Sequence, residues 1–275
     1  MGAARGGLVV ALVAGCQPPE LCNGAEATCA RPLPEVVFPA SHNAMSNAEE
    51  GWLAPNQDDP PAAQLARGVR GMLIDTYSWN DEAYLCHSVC AAGATRLVDF
   101  LADVDAFLDA NPREVLIFVV QDGLAPGPTR EALEASGVWP RLYLPDGGAW
   151  PTLAALIEAD TRVLWTVESG APEAPDWYTS FYDVGFDTPY SFADPSEFSC
   201  DVLRGVAGAD LFLINHWISD PLPSRTGAVE VNTREALLAR VADCEAAHGR
   251  RPTVLAVDFS AVGDVVEVVA GLNGG

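Results

Sequence analysis

Glu114-Val115-Leu116-Ile117-Phe118-Val119-Val120-Gln121-Asp122 decides the fold: Val115 to Val120 are apolar without a break, and two polar residues follow at once. A strand that is apolar at every position is buried on both faces, as in a parallel sheet covered by helices. Just upstream, residues 96–110 place Leu97, Leu101, Val104 and Leu108 on one helical stripe while Asp99, Asp103 and Asp109 point elsewhere, and Asn111-Pro112 ends the helix. Similar apolar runs occur at 35–40, 71–77, 83–86, 162–167, 210–214 and 253–257, with helical patterns between several of them. The aromatic, proline-punctuated stretch 177–198 has room for one more strand. A late helix is expected from Asn232, which with Glu235 approaches a capping box, through Leu237, Leu238, Val241 and Cys244 to Gly249. The alternation predicts an α/β single domain, a (β/α)8 TIM-type barrel of irregular form. No G-x-G-x-x-G follows the first strand, which counts against a doubly wound open sheet.

The chain has 275 residues, 49% of them hydrophobic, enough for one large core. It carries 38 acidic residues against 15 basic ones, every basic residue an arginine, for a net charge of −23. Nucleic-acid binding needs cations to neutralise phosphates, so no nucleic-acid partner is expected. Any phosphate site in so acidic a chain must carry its own local positive charge from an arginine, an imidazolium or a metal ion.

The first 16 residues have the form of an export signal, with Arg5, an apolar run from Leu8 to Ala14 and small residues before Cys16. Val13-Ala14-Gly15-Cys16 resembles the lipobox of bacterial lipoproteins, which implies acylation of Cys16 and an exported chain that is lipid-anchored at the cell envelope or secreted. Residues 17–34, rich in Pro, Ala, Gly and Cys, are expected to be a tether, and 35–275 the barrel. Setting Cys16 aside, an even set remains: Cys22, Cys29, Cys86, Cys90, Cys200 and Cys244. An even number suits disulfides in an oxidising compartment. Sequence alone leaves many pairings open, and the short intervals favour Cys22 with Cys29 and Cys86 with Cys90, leaving Cys200 for Cys244.

Polar and ionisable residues recur where the apolar runs end: Ser41-His42-Asn43, Asp75, His87, Gln121-Asp122, Asn215-His216 and Asp258. In a barrel these ends converge on the rim that carries active sites. Three of the four histidines lie there, while His248 falls at a helix end. Two facing imidazoles suit phosphodiester cleavage, one taking a proton from the attacking hydroxyl and the other protonating the leaving oxygen.

Ser41-His42-Asn43-Ala44-Met45-Ser46 resembles the T-H-N-S motif that opens X-domain phosphatidylinositol-specific phospholipases C. Gln64-Leu65-Ala66-Arg67-Gly68-Val69-Arg70 resembles their Q-L-x-x-G-V-R segment, and Leu85-Cys86-His87-Ser88 their second histidine motif. Phe107-Leu108 through Asn111-Pro112-Arg113-Glu114-Val115, and Ala256-Val257-Asp258-Phe259 with Gly263-Asp264, resemble two later family segments. The similarity is strongest to the secreted subgroup with an L-C-H-S motif and paired cysteines, and is weak between Gly123 and Asp210.

The resemblance implies a phosphoric diester hydrolase or lyase that cleaves a phosphodiester lipid such as phosphatidylinositol. His42 would deprotonate the inositol 2-hydroxyl, His87 would protonate the diacylglycerol oxygen, and Asp258 would orient His42. Asp75 stands where calcium-dependent members have an aspartate and metal-independent ones an arginine, so Ca2+ is the implied cofactor. Asn43 and Asp122, or Gln121 beside it, join Asp75 as implied ligands. Leu73 departs from the calcium pattern, in which a second acidic ligand stands at that position. Arg70 is expected either on the phosphate or in an ion pair at the barrel base. His216 and Trp217 are expected to line the head-group pocket or to pack as a rim pair. From a different class, a lipid-anchored surface module that keeps the barrel without turnover is the alternative.

Overall fold

The computed structural model of the chain describes residues 20–170, 174–219 and 221–274. The export signal and Cys16 lie outside the described residues. Eleven strands occur among the described residues: β1 Phe38–Ser41, β2 Gly71–Trp79, β3 Glu82–Cys86, β4 Ala94–Arg96, β5 Leu116–Gly123, β6 Leu142–Tyr143, β7 Val163–Val167, β8 Gly185–Asp187, β9 Arg204–Gly205, β10 Leu211–His216 and β11 Val254–Val257. The sheet runs β6-β7-β5-β2-β1-β11-β10-β8-β9. Every pair from β6 across to β8 is parallel. It curls as a barrel does, but β7 and β8 do not pair; Val167 bridges singly to Ser180 across that seam. This is the irregular α/β barrel that the alternation predicts, with β8 inside the aromatic stretch 177–198.

One expected strand has a different role. Residues 83–86 are not a barrel strand but β3, which turns back antiparallel on β2 and pairs with β4 on its other side. Asn80 and Asp81 form the turn, both in the left-handed region at φ 51° and 63°. That is the geometry of a tight two-residue hairpin.

Side chains alternate along each barrel strand. Phe38, Ala40, Leu73, Ile117, Val119, Leu164, Leu211, Leu213 and Ala256 fill the interior. Met72, Ile74, Phe118, Val120 and Trp165 face outward onto the helix Leu97–Ala110 through Leu97, Leu101, Val104 and Leu108. On the other side Phe212, Ile214, Leu255 and Val257 pack against Leu237, Val241, Val265 and Val268. The helix Arg234–His248 ends at Gly249 as expected, at φ 68°, but its cap is Thr233, whose hydroxyl accepts from the Ala236 N–H at 3.3 Å. Asn232 instead donates to the Asp258 carbonyl at 2.8 Å.

The described part of the expected tether is built into the barrel. Cys22 and Leu33 are fully buried, and Asn23 clasps the start of β5, accepting from the Val115 N–H at 2.7 Å and donating to its carbonyl at 3.0 Å. The strand starts define the base of the barrel, so this segment lies at the end away from the mouth.

All three disulfides favoured by cysteine spacing are present: Cys22–Cys29, Cys86–Cys90 and Cys200–Cys244. Cys200–Cys244 closes the longest loop, with a sequence separation of 44, and ties the segment before β9 to the outer helix layer. Replacing both cysteines with alanine is expected to cost about 2–4 kcal/mol, by freeing the unfolded chain and leaving a hole at fully buried Cys244. Urea unfolding checks this, and an unchanged midpoint contradicts it.

Candidate active site

The two-residue period that fills the interior also selects which strand-end residues face the mouth. His42 lies two residues beyond Ala40, Asp75 beyond Leu73, Gln121 beyond Val119, Asn215 beyond Leu213 and Asp258 beyond Ala256. All of these line one cavity of about 280 Å3, together with Asn43, His87, Glu168, Arg204 and Trp217.

Two of the expected residues, both of the opposite phase, lie outside it. Asp122 turns away and accepts from the Ser169 N–H at 2.8 Å, so it does not join Asp75 as the implied ligand set required. His216 is fully buried on the outer face, with Nε2 2.8 Å from the Val231 carbonyl and its ring against Phe198, and does not line the mouth. Burial pushes its pKa down to about 4, so it is a neutral packing histidine. Arg70 lies at the base, where its Nε donates to Glu114 at 2.7 Å, and of its two expected places it occupies the ion pair.

His42 is held from every side. Its Nδ1 is 2.8 Å from Asp258 Oδ1, so the carboxylate accepts from Nδ1–H, keeps the proton on that nitrogen and leaves the Nε2 lone pair toward the cavity. Asn56 Nδ2 donates to the same carboxylate oxygen at 3.0 Å. Trp217 stacks on the imidazole, with centroids 3.7 Å apart and planes 5° from parallel. Gln57 fastens the backbone beneath, donating to the His42 carbonyl at 2.7 Å and accepting from the Ser260 N–H at 2.9 Å.

His87 arrives from a different direction, on the turn after β3. The Nδ2 of Asn43 is 3.1 Å from His42 Nε2 and 3.4 Å from His87 Nε2, so a single amide spans the gap between the rings. Burial, with the nearby His42 second, lowers the pKa of His87 and favours its neutral form. Asn43, Ser88 and Phe259, each directly after His42, His87 or Asp258, have φ of 45°, 62° and 49°. Left-handed non-glycine residues cost on the order of 1 kcal/mol or more each and persist where the surroundings over-determine them.

Two acidic groups complete the wall. Asp75 is only 7% exposed, and burial raises its pKa to about 7, with His42 lowering it and Glu168 raising it further. Among the described residues no hydrogen bond or ion pair reaches its carboxyl. Glu168 is raised by burial and partly relieved by Arg204, whose Nη1 lies 3.0 Å away. Arg204 also donates through Nε to the fully buried Asp187 at 2.9 Å, and Tyr182 OH donates to that carboxylate at 3.1 Å. Arg204 is therefore the guanidinium of the cavity, already shared between two carboxylates. Sequence reasoning missed Arg204, Glu168 and Asn56. Glu168 ends the run 162–167 and could have been found by the same strand-end rule as Asp75.

Comparison with known proteins agrees with this layout. The PI-PLC X 1 family model matches residues 28–273. A PI-PLC X domain-containing protein 1 of Arthroderma benhamiae is 29% identical over 92% of this chain and 90% of its own length. An uncharacterized secreted protein of the same organism is 28% identical, and a PI-PLC X domain-containing protein of Arabidopsis thaliana is 26% identical, with 64% and 63% of their lengths covered. Among solved structures, the phosphatidylinositol-specific phospholipase C of Staphylococcus aureus superposes with a TM-score of 0.61 at 15% identity, over 89% of this chain and 94% of that one, which is a likeness of fold. A curled parallel barrel with this motif order, matched by the family model over nearly all of its described length, makes the chain a member of the PI-PLC X family.

Proposed function

We propose that the chain cleaves a phosphodiester lipid such as phosphatidylinositol by acid–base catalysis between His42 and His87. The observation that carries this is the Asn43 amide, within reach of both Nε2 atoms across one cavity. His42 Nε2 takes the proton of a hydroxyl on the head group, and that oxygen bonds to phosphorus. The bond from phosphorus to the diacylglycerol oxygen breaks, and His87 delivers a proton to that oxygen. Asp258 keeps the Nδ1 proton on His42 and offsets the imidazolium as it forms. His87 must be protonated to act as the acid; a bound phosphate anion supplies the negative charge that raises it. Trp217 excludes water from one face of His42.

The donors at the mouth fit a hard cation. Asp75 offers a carboxylate without a counter-ion, and Asn43 and Gln121 line the same cavity with amide oxygens. Among the described residues no group of three or more His, Cys, Asp or Glu could hold a metal, so the ligand set carries little charge and weak binding follows. Calcium held there would supply positive charge near the phosphate. Chelation of the purified protein is then expected to lower turnover at least about tenfold, with calcium restoring it and Asp75→Asn abolishing the response. Turnover indifferent to both treatments removes the cation and leaves the histidine chemistry standing.

The three disulfides support an oxidising, extracytoplasmic location, and acylation of Cys16 would add an envelope anchor. The test of the activity is a panel of phosphodiester lipids incubated with wild type, His42→Ala and His87→Ala. Equal hydrolysis by all three, or none by wild type on any lipid, overturns the proposal. The shared state of Arg204 favours the second reading, a silent lipid-binding module, if wild type binds vesicles without turnover.

A further inference from the structure

We propose that the Cys86–Cys90 disulfide positions His87 for proton delivery, and that a dithiol reductant switches the reaction off by releasing it. This rests on the acid–base proposal above. His42 is fixed by a carboxylate, a stacked indole and the Gln57 bonds to its backbone. Among the described residues the imidazole of His87 has none of these; its one side-chain partner there is Asn43, at 3.4 Å. What fixes it is the backbone, and that backbone is a ring. Cys86 closes β3 and pairs with Ala94 of β4, so the chain must reverse between them without strand partners. The disulfide encloses only His87, Ser88 and Val89. Within the ring Val89 N–H donates to the His87 carbonyl at 2.7 Å, and Ser88 is held at φ 62°.

The other two disulfides have no such relation to the cavity, one clasping the base and the other the outer helices. The far end of the turn is anchored independently. Leu53 N–H donates to the Ala92 carbonyl at 2.9 Å, and Gly93 packs so closely on Trp52 that a Cβ there would stand 2.2 Å from the indole. Opening the disulfide therefore loosens residues 87–90 while β3, β4 and the core keep their contacts. Val89 is 59% exposed and Cys90 half-buried, whereas Cys86 is fully buried, so Cys90 is the sulfur a reductant reaches. A thiolate of the dithiol bonds to Cys90 Sγ and expels the Cys86 thiolate, which takes up a proton. The second thiol then closes the reductant's own disulfide and frees Cys90 as a thiol, a two-electron, two-proton exchange.

The experiment compares two substrates of the full chain: phosphatidylinositol vesicles, whose alkoxide leaving group needs a proton, and the 4-nitrophenyl phosphodiester of inositol, whose phenolate leaves without one. Cys86→Ser/Cys90→Ser is expected to lose about 10- to 100-fold in kcat on the lipid with KM little changed, and to keep its rate on the nitrophenyl substrate. His87→Ala shows the same split more steeply. Native wild type treated with dithiothreitol should lose lipid turnover and regain it on reoxidation, which covers the case of a double variant that folds poorly. Equal losses on both substrates, or no loss on the lipid, overturn the positioning role. Absence of the split in His87→Ala overturns the acid–base proposal itself.

Discussion

His42→Ala is expected to reduce lipid turnover by at least about a thousandfold, the upper part of the range for a positioned general base. The expectation is high because every contact of the ring serves its orientation. Asp258 is 1% exposed and meets the ring at 2.8 Å, and among the described residues its only other side-chain donor is the Asn56 amide. Asp258→Asn should follow the same direction with about a hundredfold loss or more, because an amide can donate to Nδ1 and so favour the wrong tautomer. Steady-state kinetics on phosphatidylinositol vesicles decide it. A His42→Ala rate within tenfold of wild type would remove the base from the mechanism.

The second large effect concerns stability. Arg204→Met is expected to cost about 3–5 kcal/mol, because it leaves Asp187 and Glu168 charged in the barrel with no counter-ion. Asp187 is fully buried and among the described residues keeps only the Tyr182 hydroxyl, the Asn215 amide at 3.3 Å and a backbone N–H. The pH dependence has a definite sign. Glu168 already titrates above its ordinary value because of burial, with Arg204 opposing the rise. An acid whose folded pKa is raised holds its proton more tightly when folded, so its contribution is favourable at low pH and is lost as pH rises through the carboxylate range. The penalty of Arg204→Met should therefore shrink toward pH 5 and be full at pH 8. Asp187→Asn in the same chain should recover part of it. Urea midpoints measured at both pH values test this, and a midpoint equal to wild type at pH 8 excludes the role assigned to Arg204.

Much of the barrel was legible because its strands are apolar at every position, and that same property hid part of the site. A strand buried on both faces has no alternation, so its phase cannot be read from the sequence. Gln121 and Asp122 differ by one step, as do Asn215 and His216, and in each pair the first faces the cavity. Histidine and aspartate drew attention by their chemistry, and the register placed their neighbours inside instead. The strand-end rule marked His42, Asp75 and Asp258, and the motif resemblance then supplied their expected roles. Arg204 opens the two-residue strand β9 and Asn56 sits in a loop, neither with a sequence pattern to mark it. The turn-back of β3 did leave a signal, since Asn80-Asp81 between Trp79 and Glu82 has hairpin chemistry, but the short run after it looked like one more strand of the series.

The burial of Cys22 and Leu33 beneath the strand starts sets a direction for the whole molecule. Any tension transmitted through the chain ahead of Glu20 is applied at the pole opposite His42 and His87. Were Cys16 acylated as proposed, the barrel would be moored from that pole, with its opening turned outward from the surface that holds it.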